Sequence, residues 1–250
     1  MRVKEPFVDK YQEYLYSDDY MAQQALRYLT DIRGLTDETI KHHGLGYCPR
    51  GCEIPGLTDE ERLTNRRLMG CVVVPIYEEF GKFLGFAARA PSEKAKGWWN
   101  QRFAKGNHIY LLNESREHIL NMGKIIVMEG YIDVLWLYQA GIFHVGGLMG
   151  TSLGLRRIGL IARYCDHFCL CFDVDKNFSG QKAQLRSIYE LTTLGVYNIS
   201  KIALPQGVDP DEYVRAYGPD DFLSLEKKLS KKEINAYVKE FLALQKKQHE

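Results

Sequence analysis

No stretch of the 250-residue chain holds the roughly 18 consecutive apolar residues that a membrane-spanning helix needs. The opening stretch, MRVKEPFVDKYQEYLYSDDY, has no apolar core of the kind a secretory leader carries. Net charge is nearly absent at +1, so no global field announces a polyanionic partner, and charge has to be read locally. Repeats and low-complexity segments are also absent. Six cysteines are present, at 48, 52, 71, 165, 169 and 171, but their spacing does not suggest a disulfide framework. A chain with 45% hydrophobic residues can build a core without one. A reducing cytoplasm is the expected compartment, with no membrane partner.

Zinc is not expected in this chain. Cys48 and Cys52 form a CxxxC in a Pro/Gly-rich loop, and Cys165 and Cys169 form another. Zinc sites present tighter paired knuckles on turns, whereas Cys169 and Cys171 sit inside the strand-like FCLCFD. They read as small buried hydrophobes.

What is present falls into two textures. Residues 18–31 carry Met21, Ala25, Leu26 and Leu29 at helical spacing, and Gly34 ends the pattern. Arg33 stands at that end, where a cation complements the helix dipole. Thr36 can cap a second helix over 37–43. Residues 47–61 read as an irregular surface connection. CVVVPI (71–76) and FLGFAARA (83–90) then flank YEEFGK, which predicts a β-hairpin. From Arg62 to His108 there are nine basic residues, Arg67, Arg89, Lys96 and Lys105 among them, against three acids. Trp98, Trp99 and Phe103 lie among these cations, beside Asn100. Cations for phosphates and rings for bases suit a single-stranded nucleic acid, although a solvated hairpin with buried tryptophans has the same composition.

After residue 124 strands and helices alternate. KIIVM, FHVGGL, FCLCF and NISKIAL read as strands, separated by helical patterns, one of which Thr151 or Ser152 can cap. Such alternation predicts an α/β class with a parallel sheet flanked by helices. The lysine-rich stretch after Glu226 reads as a surface helix or linker.

The stretch IIVMEGYIDVLWL organises the second half. Four apolar residues, Ile125 to Met128, read as a strand buried on both faces. Glu129 and Gly130 end it, and Asp133 follows in the next helix. FCLCF is followed by Asp173 and Asp175, and NISKIAL by Asp209 and Asp211. Acids therefore stand at three successive strand ends, the edge at which open α/β sheets bind ligands. Clustered carboxylates repel one another unless cations neutralise them, and an all-oxygen donor set favours Mg²⁺ or Mn²⁺ over zinc. Two such ions can stabilise both oxygens of a phosphoryl transfer.

EGYIDV, GTS, the FDVD acids and GVDPDEYV together resemble the TOPRIM metal site of bacterial and phage DnaG-type primases. Upstream, LRYLTDIRGLTDETIKHHGLGYCP, VVVPIYEEFGKFLGFAARA and FAKGNHIYLL resemble the same family's RNA-polymerase core. The resemblance covers about residues 20–220. It implies a TOPRIM subdomain at 119–225, a basic mixed α+β subdomain at 1–118 and a helical tail at 226–250. It implies that Glu129, Asp173 and Asp175 are catalytic and hold two or more Mg²⁺ or Mn²⁺ ions. Asp209 and Asp211 join the same metal site, with Gly130 and Asp133 completing the first motif. Arg33, Arg89 and Lys105 match positions for template or nucleotide contact, and Asn100 a polar position in the same groove. Arg67 and Lys96 are carried over with them, Arg67 beside Gly70 and Cys71 where the family has charged residues. Val174 stands where the family has glycine, and Lys96 is offset by one residue. The activity implied is primer synthesis, with single-stranded DNA and ribonucleoside triphosphates as partners. A replicative helicase and a zinc-binding template-recognition module on another chain are further implied partners, in the cytoplasm of a bacterium or a phage's host. A TOPRIM-type nuclease or strand-cleaving enzyme, and a noncatalytic single-strand-binding adaptor, are the alternatives.

Overall fold

The structure is a computed structural model that describes residues 6–51, 66–95, 97–172 and 179–247. It divides into two compact units, Met1–Phe103 and Ala104–Glu250. Among the described residues no helix is long and apolar enough to cross a membrane.

In the first unit, helices α1 (Pro6–Leu15), α2 (Tyr20–Arg27) and α3 (Asp37–His42) precede a four-stranded antiparallel sheet. Its strands are β1 (Gly46–Cys48), β2 (Cys71–Tyr77), β3 (Phe83–Arg89) and β4 (Trp99–Asn100), in that spatial order. β2 and β3 form the expected hairpin, with a register shift at Ile76/Tyr77. Asp19 caps α2 by accepting from the Ala22 N–H, and Thr36 caps α3 by accepting from that of Thr39. The segment after α2 continues as a π turn over Tyr28–Ile32, closed where the Arg33 N–H donates to the Tyr28 carbonyl, and Gly34 takes a φ of +67°. Tyr47 and Cys48 are not part of an irregular connection: they form β1 and are fully buried. Local pattern hides this strand because it is three residues long. α1 secures it at a close approach, since a Cβ on Gly46 would lie 2.6 Å from the Tyr11 backbone. Tyr11 packs edge-on against Phe86 across the same core.

The second unit is a five-stranded sheet in the order β6-β5-β7-β8-β9. Its strands are β5 (Lys124–Met128), β6 (Val145–Gly147), β7 (His167–Leu170), β8 (Ile199–Ile202) and β9 (Glu226–Lys228). The first four are parallel, and β9 closes the edge antiparallel to β8. The helices are α4 (Leu112–Met122), α5 (Tyr131–Gln139), α6 (Leu155–Ile161), α7 (Ser179–Thr193), α8 (Pro210–Tyr217), α9 (Pro219–Ser224) and α10 (Lys231–Lys247). Ile125, Val127, Phe168, Leu170 and Ile199 form one apolar cluster with residues of α4, α6, α7 and α10. Ile126, Met128 and Cys169, which alternate with them, are also fully buried. α5 lies against β6 and against α8. The continuous apolar runs thus serve central parallel strands, as expected. The stretch after residue 226 begins as the edge strand β9. The helix that follows is anchored through buried Ile234 and through Phe241, whose ring meets that of Tyr189 at 4.9 Å.

Candidate metal centre and nucleic-acid contacts

Because β5, β6, β7 and β8 run parallel, their C-terminal ends share one edge. The pairings Met128↔Gly147, Val127↔Leu170 and Leu170↔Lys201 set the strand ends side by side. Backbone bonds extend the ladder past the strands: the Leu148 N–H donates to the Met128 carbonyl and the Cys171 N–H to that of Val127. Glu129 leaves β5 at this edge with its Oε1 buried from solvent. Gly130 then caps α5 with ordinary backbone angles, φ −94° and ψ 160°. Its lack of a side chain matters for another reason. A Cβ there would lie 2.2 Å from Oδ2 of Asp133, so the carboxylate occupies the space a side chain would fill. Asp133 stands in the first turn of α5, where the helix dipole favours an anion.

Asp209 is the N-cap residue of α8, followed by Pro210 at the first helical position. Asp211, in the first turn, is only 4% exposed. α8 packs along α5, with the Arg215 guanidinium 5.7 Å from the Trp136 ring centre. Glu129, Gly130 and Asp133 therefore share one strand–helix turn, and Asp209 and Asp211 head the helix that packs on the next. Asp173 and Asp175 lie outside the described residues. The strand that leads to them, β7, lies between β5 and β8. The described donors, Glu129, Asp133, Asp209 and Asp211, are all hard carboxylate oxygens, with Asp211 and Glu129 Oε1 withdrawn from water, and such donors suit a hard divalent cation.

The predicted cations divide between the units. Lys105 belongs to the second. It is exposed on a 3₁₀ turn (Lys105–Asn107), and its Nζ donates to the Met149 carbonyl in the loop after β6 at 3.4 Å. The first unit holds the rest. Arg67 lies over the Trp99 ring at 5.6 Å, and Arg89 Nη2 donates to the Ala95 carbonyl at 2.9 Å. Trp98 and Asn100 are half-buried, and the pairs Ala88↔Trp99 and Ala87↔Asn100 hold β4 on β3. Arg33 stands elsewhere in that unit, its Nε donating to the Tyr28 hydroxyl at 3.0 Å. Lys96 lies outside the described residues.

A Toprim-like family model matches residues 126–214, the segment that carries all of these acids. The DNA primase of Neisseria meningitidis serogroup A is 31% identical over 231 residues, spanning 82% of this chain and 39% of the relative. The chain thus spans about two fifths of the curated relatives it matches. The E. coli primase catalytic core superposes with a TM-score of 0.79 at 25% identity, covering 94% of this chain and 82% of that core. A DnaG primase catalytic domain bound to ssDNA gives a TM-score of 0.75 at 26% identity, over 88% of this chain and 77% of that one. The chain has the fold of a DnaG-type primase catalytic core, with a TOPRIM domain. TOPRIM primases use divalent metals, and the acidic strand-end edge is the candidate site for them in this chain.

Within the TOPRIM domain two buried charges escaped the reading of the sequence. Arg157, 4% exposed on α6, donates to four backbone carbonyls: Lys105 at 2.7 Å, His108 at 2.8 Å, Leu148 at 2.6 Å and Ser152. Burial lowers its pKa to about 10, partly offset by Tyr131 and Glu190, so it stays protonated at neutral pH. Glu190, on α7, accepts from the Gly154 N–H at 2.7 Å and from Arg186 Nε at 2.7 Å. Neither Thr151 nor Ser152 caps α6; Gly154 does, at a φ of +72°, and the Glu190 carboxylate satisfies its N–H from another helix. One signal for Arg157 was in the sequence: it shares the face of Ile161, one turn on, in an otherwise apolar stripe.

Proposed function

We propose that this core synthesises short RNA primers on single-stranded DNA from ribonucleoside triphosphates. The observation that carries the reading is the acidic edge of a TOPRIM sheet, in a chain that covers most of a primase catalytic core. Glu129, Asp173 and Asp175 are assigned to hold the metals, with Asp209 and Asp211 completing the site. Mg²⁺ or Mn²⁺, when bound, would lower the pKa of the attacking hydroxyl and neutralise charge on the phosphates. In the reaction the 3′-hydroxyl oxygen of one nucleotide bonds to the α-phosphorus of the next. The bond to pyrophosphate breaks, and the hydroxyl proton leaves to solvent. Lys105 is assigned to phosphate, and Arg33, Arg67, Arg89, Lys96, Trp98 and Asn100 to template and nucleotide. A zinc-binding module and a replicative helicase on other chains, in the cytoplasm, complete the proposed setting.

The test is incubation with single-stranded DNA, labelled ribonucleotides and Mg²⁺ or Mn²⁺. A ladder of short RNA is the expected product. Glu129→Gln should abolish it and leave the affinity for the oligonucleotide unchanged, because the cations and rings that bind template are untouched. Full synthesis by that variant would overturn the metal assignment, and shortened template in place of RNA would make the enzyme a nuclease.

A further inference from the structure

We propose that Arg157 is the positioning residue for Lys105, fixing its ammonium over the strand-end edge. This rests on the reading that Lys105 contacts phosphate. Arg157 joins two segments that are far apart in sequence, the Lys105–His108 turn and the Leu148–Ser152 loop. Leu148 is itself bonded to Met128, the residue before Glu129. A continuous path therefore runs from the Lys105 carbonyl through the guanidinium and Leu148 to the backbone that presents Glu129. The Lys105 side chain returns to the same loop, at the Met149 carbonyl. Met149 is held at a φ of +57°; it and Leu111 are the two non-glycine residues with positive φ among those described. Such a backbone persists only where the surroundings over-determine it, and the guanidinium on either side, at Leu148 and Ser152, supplies that constraint.

The chemistry is specific to arginine. Its planar fork offers five N–H donors in fixed directions, whereas an ammonium is a compact point charge that cannot span four carbonyls on two segments. All four acceptors of Arg157 are carbonyls, so its charge is spent on holding backbone and not on an ion pair with an acid. Glu190 holds the start of α6, and with it Arg157, through the Gly154 N–H.

The test is a double-mutant cycle of Arg157→Lys and Lys105→Ala, with each protein's fold checked by circular dichroism. The readouts are the Kd for a single-stranded oligonucleotide, and the KM and kcat for ribonucleotides. Lys105→Ala should weaken one of these by roughly tenfold, the scale of a lost charge-assisted contact. Arg157→Lys should reproduce the same split among Kd, KM and kcat, and the double variant should be no worse than the stronger single one. Multiplying effects, or an Arg157→Lys protein with wild-type constants, would overturn the proposal. If Lys105→Ala alters none of the constants, the assignment of Lys105 to phosphate fails and the positioning role fails with it. If the wild-type chain makes no primer at all, it is the proposed function that falls, and the oligonucleotide Kd still reads the cycle. Should Arg157→Lys not fold, Glu190→Gln takes its place in the cycle, where the same non-additivity with Lys105→Ala is expected.

Discussion

His144 should make the TOPRIM domain lose stability on mild acidification. It immediately precedes β6, is 7% exposed, and its Nε2 is buried with no hydrogen-bond partner among the described residues. Burial, helped by the charges of Lys124 and His118 and opposed by Glu226, lowers its pKa from 6.5 to about 4. The folded ring is thus neutral where the unfolded one is already charged. Between pH 6.5 and about 4 the unfolded chain binds more protons, so the stability that is complete above the upper limit falls with pH. With those limits the loss is about 2 kcal/mol at about pH 5. For a domain of this size that is a drop of about 4–8 °C in Tm. The His167 pKa is lowered as well, first by burial, and it adds to the slope in the same direction. The contribution of His144 is isolated by His144→Phe, which keeps a ring and removes the titration. Melting curves from about pH 7.5 to about pH 5 should show the wild type losing about 2 kcal/mol more than the variant. If the two proteins lose stability equally over that range, the ring is not held neutral and the reasoning is wrong.

At Gly130, alanine suits the backbone but would drive the Asp133 carboxylate from its place, at a cost of about 1–2 kcal/mol. In an Asp133→Ala background the same change should cost little, and equal costs in both backgrounds, read by urea midpoints, would refute the contact. Glu226 ties β9 to the sheet: its Oε2 lies 2.6 Å from Lys124 Nζ, and its Oε1 accepts from the Ser200 hydroxyl at 2.6 Å. Glu226→Gln should cost about 1–3 kcal/mol at neutral pH, less than a fully buried pair would. Burial pushes the Glu226 pKa up, but the bonds from Lys124 and Ser200 outweigh it and hold the group below its usual 4.5. Its contribution is therefore present above that value and fades as pH falls through the lowered one, so the variant should lose less stability on acidification in that range. A parallel acid slope in the two proteins would contradict this.

The order β5, α5, β6, α6, β7, α7, β8 in the second unit could be read from pattern because apolar runs alternate there with helical spacing. Four apolar residues in a row, Ile125 to Met128, read as a strand buried on both faces, and all four are fully buried; the acid and glycine after them mark its end. That β5, β6, β7 and β8 end at one edge followed from that order, since parallel strands place their C-termini together. Glu129 leaves β5 there, whereas Asp209 and Asp211 stand at the start of α8, beyond the end of β8. The elements that escaped detection depend on contacts between distant segments. β1 is a strand because α1 and β2 enclose it, and β9 is one because β8 offers it an edge; neither has the length to show a period. Arg157 and Glu190 are charged residue types that usually face solvent, and only the apolar stripe around Arg157 hinted otherwise. They are buried because four carbonyls of two separate segments, and the bare N–H of a helix start, need a donor and an acceptor that only the folded chain brings within reach. His144 looks like any surface histidine until the sheet closes over it. What the chain could declare locally was the chemistry of its strand ends; the tertiary structure decided which buried charges hold those ends in place.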